Sequence, residues 1–449
     1  MKFVPNSSVK TLMLKELGLN DIEDLFSDIP QTMKIKNLNL PEGLSQQETE
    51  KKLREIMIKN KSYNDLLSFL GGGIKPHYIP AIVKSIISRS EFYTSYTPYQ
   101  SEASQGFLQA MFEYQSMIAE ITGMDVSNCS LYDGATSLSE AALMSTRITK
   151  KNTFIIPHNI SWEKKSVLSN YAKGPGIKIK EISYNNKTGK IDIDELNKKI
   201  NGDTSGVYIE NPNFFGIFED DIKEISKVVK DAGSLFVVGV APISLGITKS
   251  PGEYGADIVI GEGRALGNPM NFGGSSLGIF ACKNEFLRQM PGRIIGITKD
   301  SKGKRAFCMT LQTREQHIRR AKATSNICTN EGLCALAAVV YLSWLGSEGF
   351  FQLSKTNFEK GQKLARLIDD LFGFKLRFNG THFNEFVVCC SDDLRKLNHR
   401  LLQKDIQGGL ILDEFYPELK KCMLIGTSEI HSDEDIDKFV TSLKEVSNV

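Results

Sequence analysis

Four short stretches carry residue types from which a site could be built. In Tyr93-Thr-Ser-Tyr-Thr-Pro-Tyr-Gln-Ser-Glu102, continuing to Ser104-Gln-Gly106, three tyrosines are interleaved with hydroxyls around Pro98. Such a stretch cannot be a regular helix. Its tyrosines offer apolar rings with hydrogen-bonding tips, so it reads either as a binding loop or as a packed surface loop. Leu131-Tyr-Asp-Gly-Ala-Thr-Ser-Leu-Ser-Glu140 runs from small residues into a helix whose start is marked by a Ser137-x-x-Glu140 capping box. Free N–H groups there would suit a phosphate, although an ordinary capped helix explains the same residues. Gly261-Glu-Gly-Arg-Ala-Leu-Gly-Asn-Pro-Met-Asn-Phe-Gly-Gly274 packs five glycines and a proline into fourteen residues after a strand. That is where open α/β sheets bind ligands, but the spacing does not make a dinucleotide fingerprint. Finally, Arg314, His317, Arg319, Arg320 and Lys322 crowd one segment ahead of Thr324-Ser-Asn326. They could grip an acidic partner or form a solvated face.

These stretches need a scaffold, and the pattern around them supplies one. Short β-branched runs at Thr153–Ile156, Gly206–Ile209, Leu235–Val240 and Asp257–Ile260 alternate with amphipathic stretches such as Asp220–Asp231. Strands separated by helices imply right-handed parallel crossovers, hence an α/β fold with a large, doubly wound, parallel or mixed sheet. Residues 1–63 read as an N-terminal helical segment without a catalytic pattern, and residues 64–330 as the large α/β domain. Residues 331–449 read as a connecting helix and a small C-terminal α/β domain. That domain carries strands at Phe386–Cys390 and Cys422–Ile425 and a last helix capped by Ser432.

Composition excludes several function classes. With 449 residues, 41% hydrophobic and 24% charged, the chain is sized for two or three domains of ordinary globular make-up. Lys plus Arg is 55 against 53 for Asp plus Glu, a net +2 that provides no global field for nucleic acid or anionic lipid. The apolar run Cys334–Leu345 is too short to span a bilayer and reads as a buried helix. The N-terminus lacks the apolar core of a signal peptide, so a cytoplasmic protein is expected, bound to neither membrane nor nucleic acid. Eight cysteines without C-x-x-C pairing are read as core thiols rather than disulfides or metal ligands.

Taken together and in order, the motifs resemble one family. Tyr96-Thr-Pro-Tyr-Gln100 with Glu102 and Ser104-Gln-Gly106, Tyr132-Asp-Gly134 with Glu140-Ala141, Gly261-Glu-Gly263, Pro291-Gly-Arg293 with Gly296, and Gln312–His317 running on to Thr329 carry the resemblance. It is to the P-protein of the glycine cleavage system in its two-chain form, and within that to the α chain. This implies a fold-type-I architecture of the pyridoxal-phosphate (PLP) enzymes, with glycine as substrate. The implied partners are the β chain (subunit 2) and the lipoylated H-protein.

PLP enzymes of this type need a Schiff-base lysine near the glycine-rich loop and an acid facing the pyridine nitrogen. Here no lysine lies between Lys249 and Lys283, and no acid between Asp231 and Glu253. The resemblance therefore implies that the sister chain carries the cofactor covalently and that this chain contributes no catalytic lysine. It makes Tyr96, Tyr99, Gln100, Arg314 and His317 candidates for the substrate side or the interface. Thr324 and Ser325 become candidates for the phosphate of the sister chain's cofactor. No metal is expected. A free-standing PLP enzyme is disfavoured by the missing lysine, and a purely structural or regulatory subunit is the other alternative.

Overall fold

The computed structural model describes residues 9–35, 37–94 and 97–447, so Tyr96 lies outside the described residues. The chain divides into two compact units, 1–61 and 62–449. In the first, the helices Lys10–Glu16 and Gln46–Met57 carry little core. Leu14 is buried, whereas Leu12, Met13, Leu53, Ile56 and Met57 are exposed. The second helix is started by a reciprocal capping box between Ser45 and Glu48.

The second unit is organised by a seven-stranded sheet. In chain order its elements begin with helix α1 (Gln105–Thr122), strand β1 (Val126–Ser127), helix α2 (Gly134–Thr149) and strand β2 (Thr153–Pro157). There follow α3 (Trp162–Lys173), β3 (Lys178–Ile182), β4 (Thr204–Glu210), α4 (Ile222–Asp231), β5 (Leu235–Val240), β6 (Ile258–Glu262) and β7 (Gly278–Cys282). The strand order is β1-β7-β6-β5-β4-β2-β3. β3, β2, β4, β5 and β6 run parallel, and β7 pairs antiparallel with both β6 and β1. Every residue of β2, β4 and β5 is buried, because helices cover both faces; that is why these strands read as unbroken apolar runs. The α4 helix alternates Ile222, Ile225 and Val229 onto one core-facing stripe, as its periodicity demands.

A hairpin of β8 (Ile294–Lys299) and β9 (Arg305–Thr310) leads into the basic segment, which folds as three short helical turns between Gln312 and Lys322. Helix α5 (Gly332–Asp369) then crosses to the C-terminal part and is broken at Gly346 (φ 61°). It is far longer than the dozen apolar residues that announce it. Length and hydropathy alone would let it cross a membrane, and Ala335–Val339, Tyr341 and Leu342 on it are buried against the sheet. The C-terminal sheet comprises β10 (Phe374–Leu376), β11 (Glu385–Cys390), β12 (Leu410–Ile411) and β13 (Cys422–Gly426), in the order β10-β11-β13-β12. Its last helix, α6 (Asp433–Val446), is capped by Ser432 with Asp435 in a capping box. This is the α/β, fold-type-I architecture.

Two sequence expectations are corrected. Helix α2 starts at Gly134, not Ser137: its N-cap is Asp133, whose Oδ1 accepts the Thr136 N–H at 2.6 Å. Glu140 does not reach back to close a capping box. It is buried inside the second turn, because α2 is wedged between α3 and the sheet. The cysteines are not all thiols either. Cys389 and Cys422 face each other directly across β11 and β13 and form a disulfide. That pairing depends on strand register, which Cys spacing does not reveal.

Candidate functional site

A cleft of about 240 Å³ opens at the C-terminal ends of β4, β5 and β6, where a parallel sheet presents its strand ends to a ligand. Its floor is formed by Glu210, Gly239 and Glu262, one wall by the start of α2, and the opposite wall by Lys75 and Glu385. Nearly every charge there is already engaged. Lys75 pairs with Glu385 at 3.0 Å, and Lys164 pairs with Glu210, which also accepts the Tyr208 hydroxyl at 2.8 Å. Glu262 accepts three backbone N–H groups: Gly134 at 3.1 Å, Arg264 at 3.0 Å and Leu277 at 2.9 Å. Burial pushes the Glu262 carboxyl above its usual range, and those donors pull it back. Arg264, from the glycine-rich loop, donates through Nη2 to the Gly273 carbonyl and the Ser276 hydroxyl, both at 3.1 Å. Its Nε and Nη1 are buried without partners.

A second constellation lies where β8 begins. Arg293 is 4% exposed and gathers two segments. Nη1 donates to Thr97 Oγ1 (3.3 Å), Thr329 Oγ1 (3.0 Å) and Asn330 Oδ1 (3.3 Å). Nη2 donates to the Tyr99 hydroxyl (3.2 Å) and the Cys328 carbonyl (2.9 Å). The loop before it is pinned carbonyl by carbonyl. Arg147 donates to Gln289 O, Asn128 to Pro291 O, and Arg314 to both Met290 O and Gly292 O.

The singled-out residues thus fall into two groups. Tyr99 is 55% exposed, with its hydroxyl on Arg293, and Gln100 beside it is exposed. His317 is exposed and 3.7 Å from Glu315. Arg314, by contrast, spends all three guanidinium nitrogens on carbonyls of its own chain, including Leu311 O through Nε at 3.1 Å. Thr324 is half-buried, its N–H donating to Arg314 O at 3.1 Å. Ser325 turns inward: its Oγ accepts the Ile327 N–H at 3.0 Å and lies in reach of Glu140. Sequence reasoning did not single out Arg293 or Arg264 as site residues, though both sit in quoted motifs. A cation inside a glycine-rich loop at a strand end was a usable signal for Arg264. Among the described residues no group of three or more His, Cys, Asp or Glu is placed to hold a metal.

The family model described as glycine cleavage system P-protein matches residues 1–443. The chain belongs to the glycine cleavage system P-protein family. It is 50% identical to the probable glycine dehydrogenase (decarboxylating) subunit 1 of Thermococcus onnurineus, over 99% of both chains. It is similar to a crystal structure of glycine decarboxylase (P-protein) in inhibitor-bound form, with TM-score 0.91, 36% identity and 100% of each chain covered. A C-DES variant with glycine covalently linked to its PLP cofactor shares the fold at 14% identity and TM-score 0.63, covering 86% of this chain and all of that one.

The fold thus occurs with PLP, but the cleft of this P-protein-family chain does not fit the cofactor. Arg264, an arginine that cannot lose its proton to become a nucleophile, stands in the loop where the lysine is needed. At the start of α2, where a phosphate would be held, Glu262 and Asp133 already accept the N–H groups of Gly134 and Thr136, and two carboxylates repel a third anion. At the end of β5, the Tyr208 hydroxyl fills the space that a side chain on Gly239 would need, so no acid can stand at that position.

Proposed function

We propose that this chain is subunit 1 of a two-chain glycine dehydrogenase (decarboxylating). In that enzyme the sister chain, subunit 2, holds PLP covalently, and this chain completes the active site from across the interface. The observation that carries the reading is 50% identity, over 99% of both chains, to a probable subunit 1 protein, together with a cleft that has Arg264 but no lysine in its glycine-rich loop and acids already holding the start of α2. The reaction is loss of CO₂ from glycine and transfer of the remaining aminomethyl group to the oxidised lipoyl arm of the H-protein. Reduction of that disulfide balances the oxidation of the carbon.

A carboxylate that must leave as CO₂ is poorly served by a bidentate guanidinium, which would stabilise the ground state. Hydroxyl and amide donors suit it better, which supports Tyr96, Tyr99 and Gln100 as the substrate-side contribution. Arg314 and His317 belong to the interface in this reading, and the Thr324–Ser325 pair lies toward the phosphate held by the sister chain, with Thr324 the main contributor because the Ser325 hydroxyl is turned toward its own chain. An obligate assembly of α and β chains, paired as α₂β₂, follows from a site shared between them.

The deciding experiment co-expresses the chain with subunit 2 and follows exchange of the glycine carboxyl group with bicarbonate in the presence of H-protein. Activity is expected only from the two chains together. Full activity from subunit 2 alone would overturn the proposal, and an active complex indifferent to Tyr96→Phe and Tyr99→Phe would reduce this chain to a structural subunit.

A further inference from the structure

Arg293 is a buried cation whose acceptors, among the described residues, are all neutral: two threonine hydroxyls, a tyrosine hydroxyl, an asparagine amide and a carbonyl. A guanidinium withdrawn from water is normally matched by a carboxylate, and leaving it on neutral oxygens, with Nε buried and unpartnered, costs stability. What it accomplishes here is geometric. The five acceptors come from two distant parts of the chain, 97–99 and 328–330, and a planar fork with fixed donor directions holds them in one register. The root of the side chain cannot drift, because the Arg293 carbonyl accepts the Cys129 N–H at 2.9 Å and the preceding carbonyls are pinned by Arg147, Asn128 and Arg314.

The effect on Tyr99 is specific. Its ring is more than half exposed, yet its oxygen accepts from Nη2 and the guanidinium carbon lies 5.5 Å from the ring centroid. With a lone pair committed to a cation, the hydroxyl is polarised, and its own proton is directed away from Arg293 toward whatever covers the loop. We propose that Arg293 is a positioning residue for glycine decarboxylation, holding Tyr99 as an oriented hydrogen-bond donor and locking the Cys328–Asn330 turn beside it. This rests on the reading that the tyrosine loop faces the sister chain's active site.

The test uses the reconstituted two-chain enzyme with Arg293→Lys, Tyr99→Phe and the double variant, with PLP absorbance and thermal midpoint recorded for each. Lysine keeps the charge but loses the fork. A donor released from its register should lower kcat about 30- to 100-fold, with KM for glycine held within about threefold and the PLP content unchanged. If Arg293 acts through Tyr99, the double variant is no worse than the more impaired single one. Wild-type kcat in Arg293→Lys overturns the proposal, as does a double-variant loss equal to the product of the single losses. Tyr99→Phe at full activity would instead sink the reading of the loop as catalytic, which separates the two failures. Should Arg293→Lys not assemble, Thr329→Val, which removes one acceptor and leaves the cation, takes its place. A drop in kcat of about fivefold or more is then expected, and full activity again overturns the proposal.

Discussion

The carboxylate of Glu262, at the end of β6, accepts the backbone N–H of Gly134 at 3.1 Å, so the amino end of α2 meets an acid of its own chain before any ligand arrives. The partial positive charge of a helix start is the usual seat of a phosphate, and here it is neutralised from within. Together with Arg264 in place of a lysine in the glycine-rich loop, this makes the cleft more than a cofactor site emptied of one residue.

Restoring a lysine should therefore not restore a cofactor site. Arg264→Lys, incubated with PLP and treated with borohydride, is expected to take up no stoichiometric cofactor. Glu262 and Asp133 still hold the helix start, and Tyr208 still closes the end of β5. A one-to-one adduct on Lys at position 264, found by mass spectrometry of the digested protein, would show that the carboxylates yield.

In the two-chain complex, replacing both hydroxyls in Thr324→Val, Ser325→Ala should weaken PLP retention by roughly 1–3 kcal/mol per charge-assisted hydrogen bond lost. Because the Ser325 hydroxyl is turned toward α2 and its own backbone, the single Thr324→Val change should carry most of that loss. Equilibrium dialysis of PLP from each complex is the measurement. Unchanged affinity in the double variant would leave the segment as interface only.

Glu140 gives the chain a pH signature. Burial pushes its carboxyl up to about 7 from an ordinary 4.5, against the smaller pull of Ser325 and Arg147, and neither oxygen has a formed hydrogen bond. An acid whose folded-state value is raised binds its proton more tightly when folded, so it costs stability as pH rises from 4.5 to about 7, and the whole cost is present above that. Glu140→Gln should thus gain stability relative to wild type between about pH 5 and pH 8, by up to about 3 kcal/mol. Urea midpoints of both proteins at the two pH values report it, and an offset that does not change with pH would refute it.

Phe215 joins the large sheet to the C-terminal part of the same unit. It is fully buried, with ring centroids of Tyr184, Phe378 and Tyr416 each 5.2 Å away. Phe215→Ala should cost about 3–5 kcal/mol through lost burial and the cavity left behind. A loss below about 1 kcal/mol in denaturant unfolding would mean that the cluster collapses to fill the gap.

Much of this protein was legible in its sequence, and for identifiable reasons. A parallel strand covered on both faces must be apolar at every position, so Leu235–Val240 and Gly206–Ile209 declared themselves. The lack of a lysine between Lys249 and Lys283 was legible too, because it is a statement about composition that no packing can repair. The start of α2 was not. Ser137 and Glu140 have the spacing of a capping box, and only the folded chain shows Asp133 in the extended conformation accepting the Thr136 N–H while Glu140 is buried. Nor could spacing pair Cys389 with Cys422, since that follows from the register of β11 on β13. Arg293 stood in a quoted motif, but its five acceptors lie in segments far apart in the chain. A hydrogen bond needs its partners within about 3 Å, and only tertiary folding brings Thr97, Tyr99 and Thr329 that close to one guanidinium.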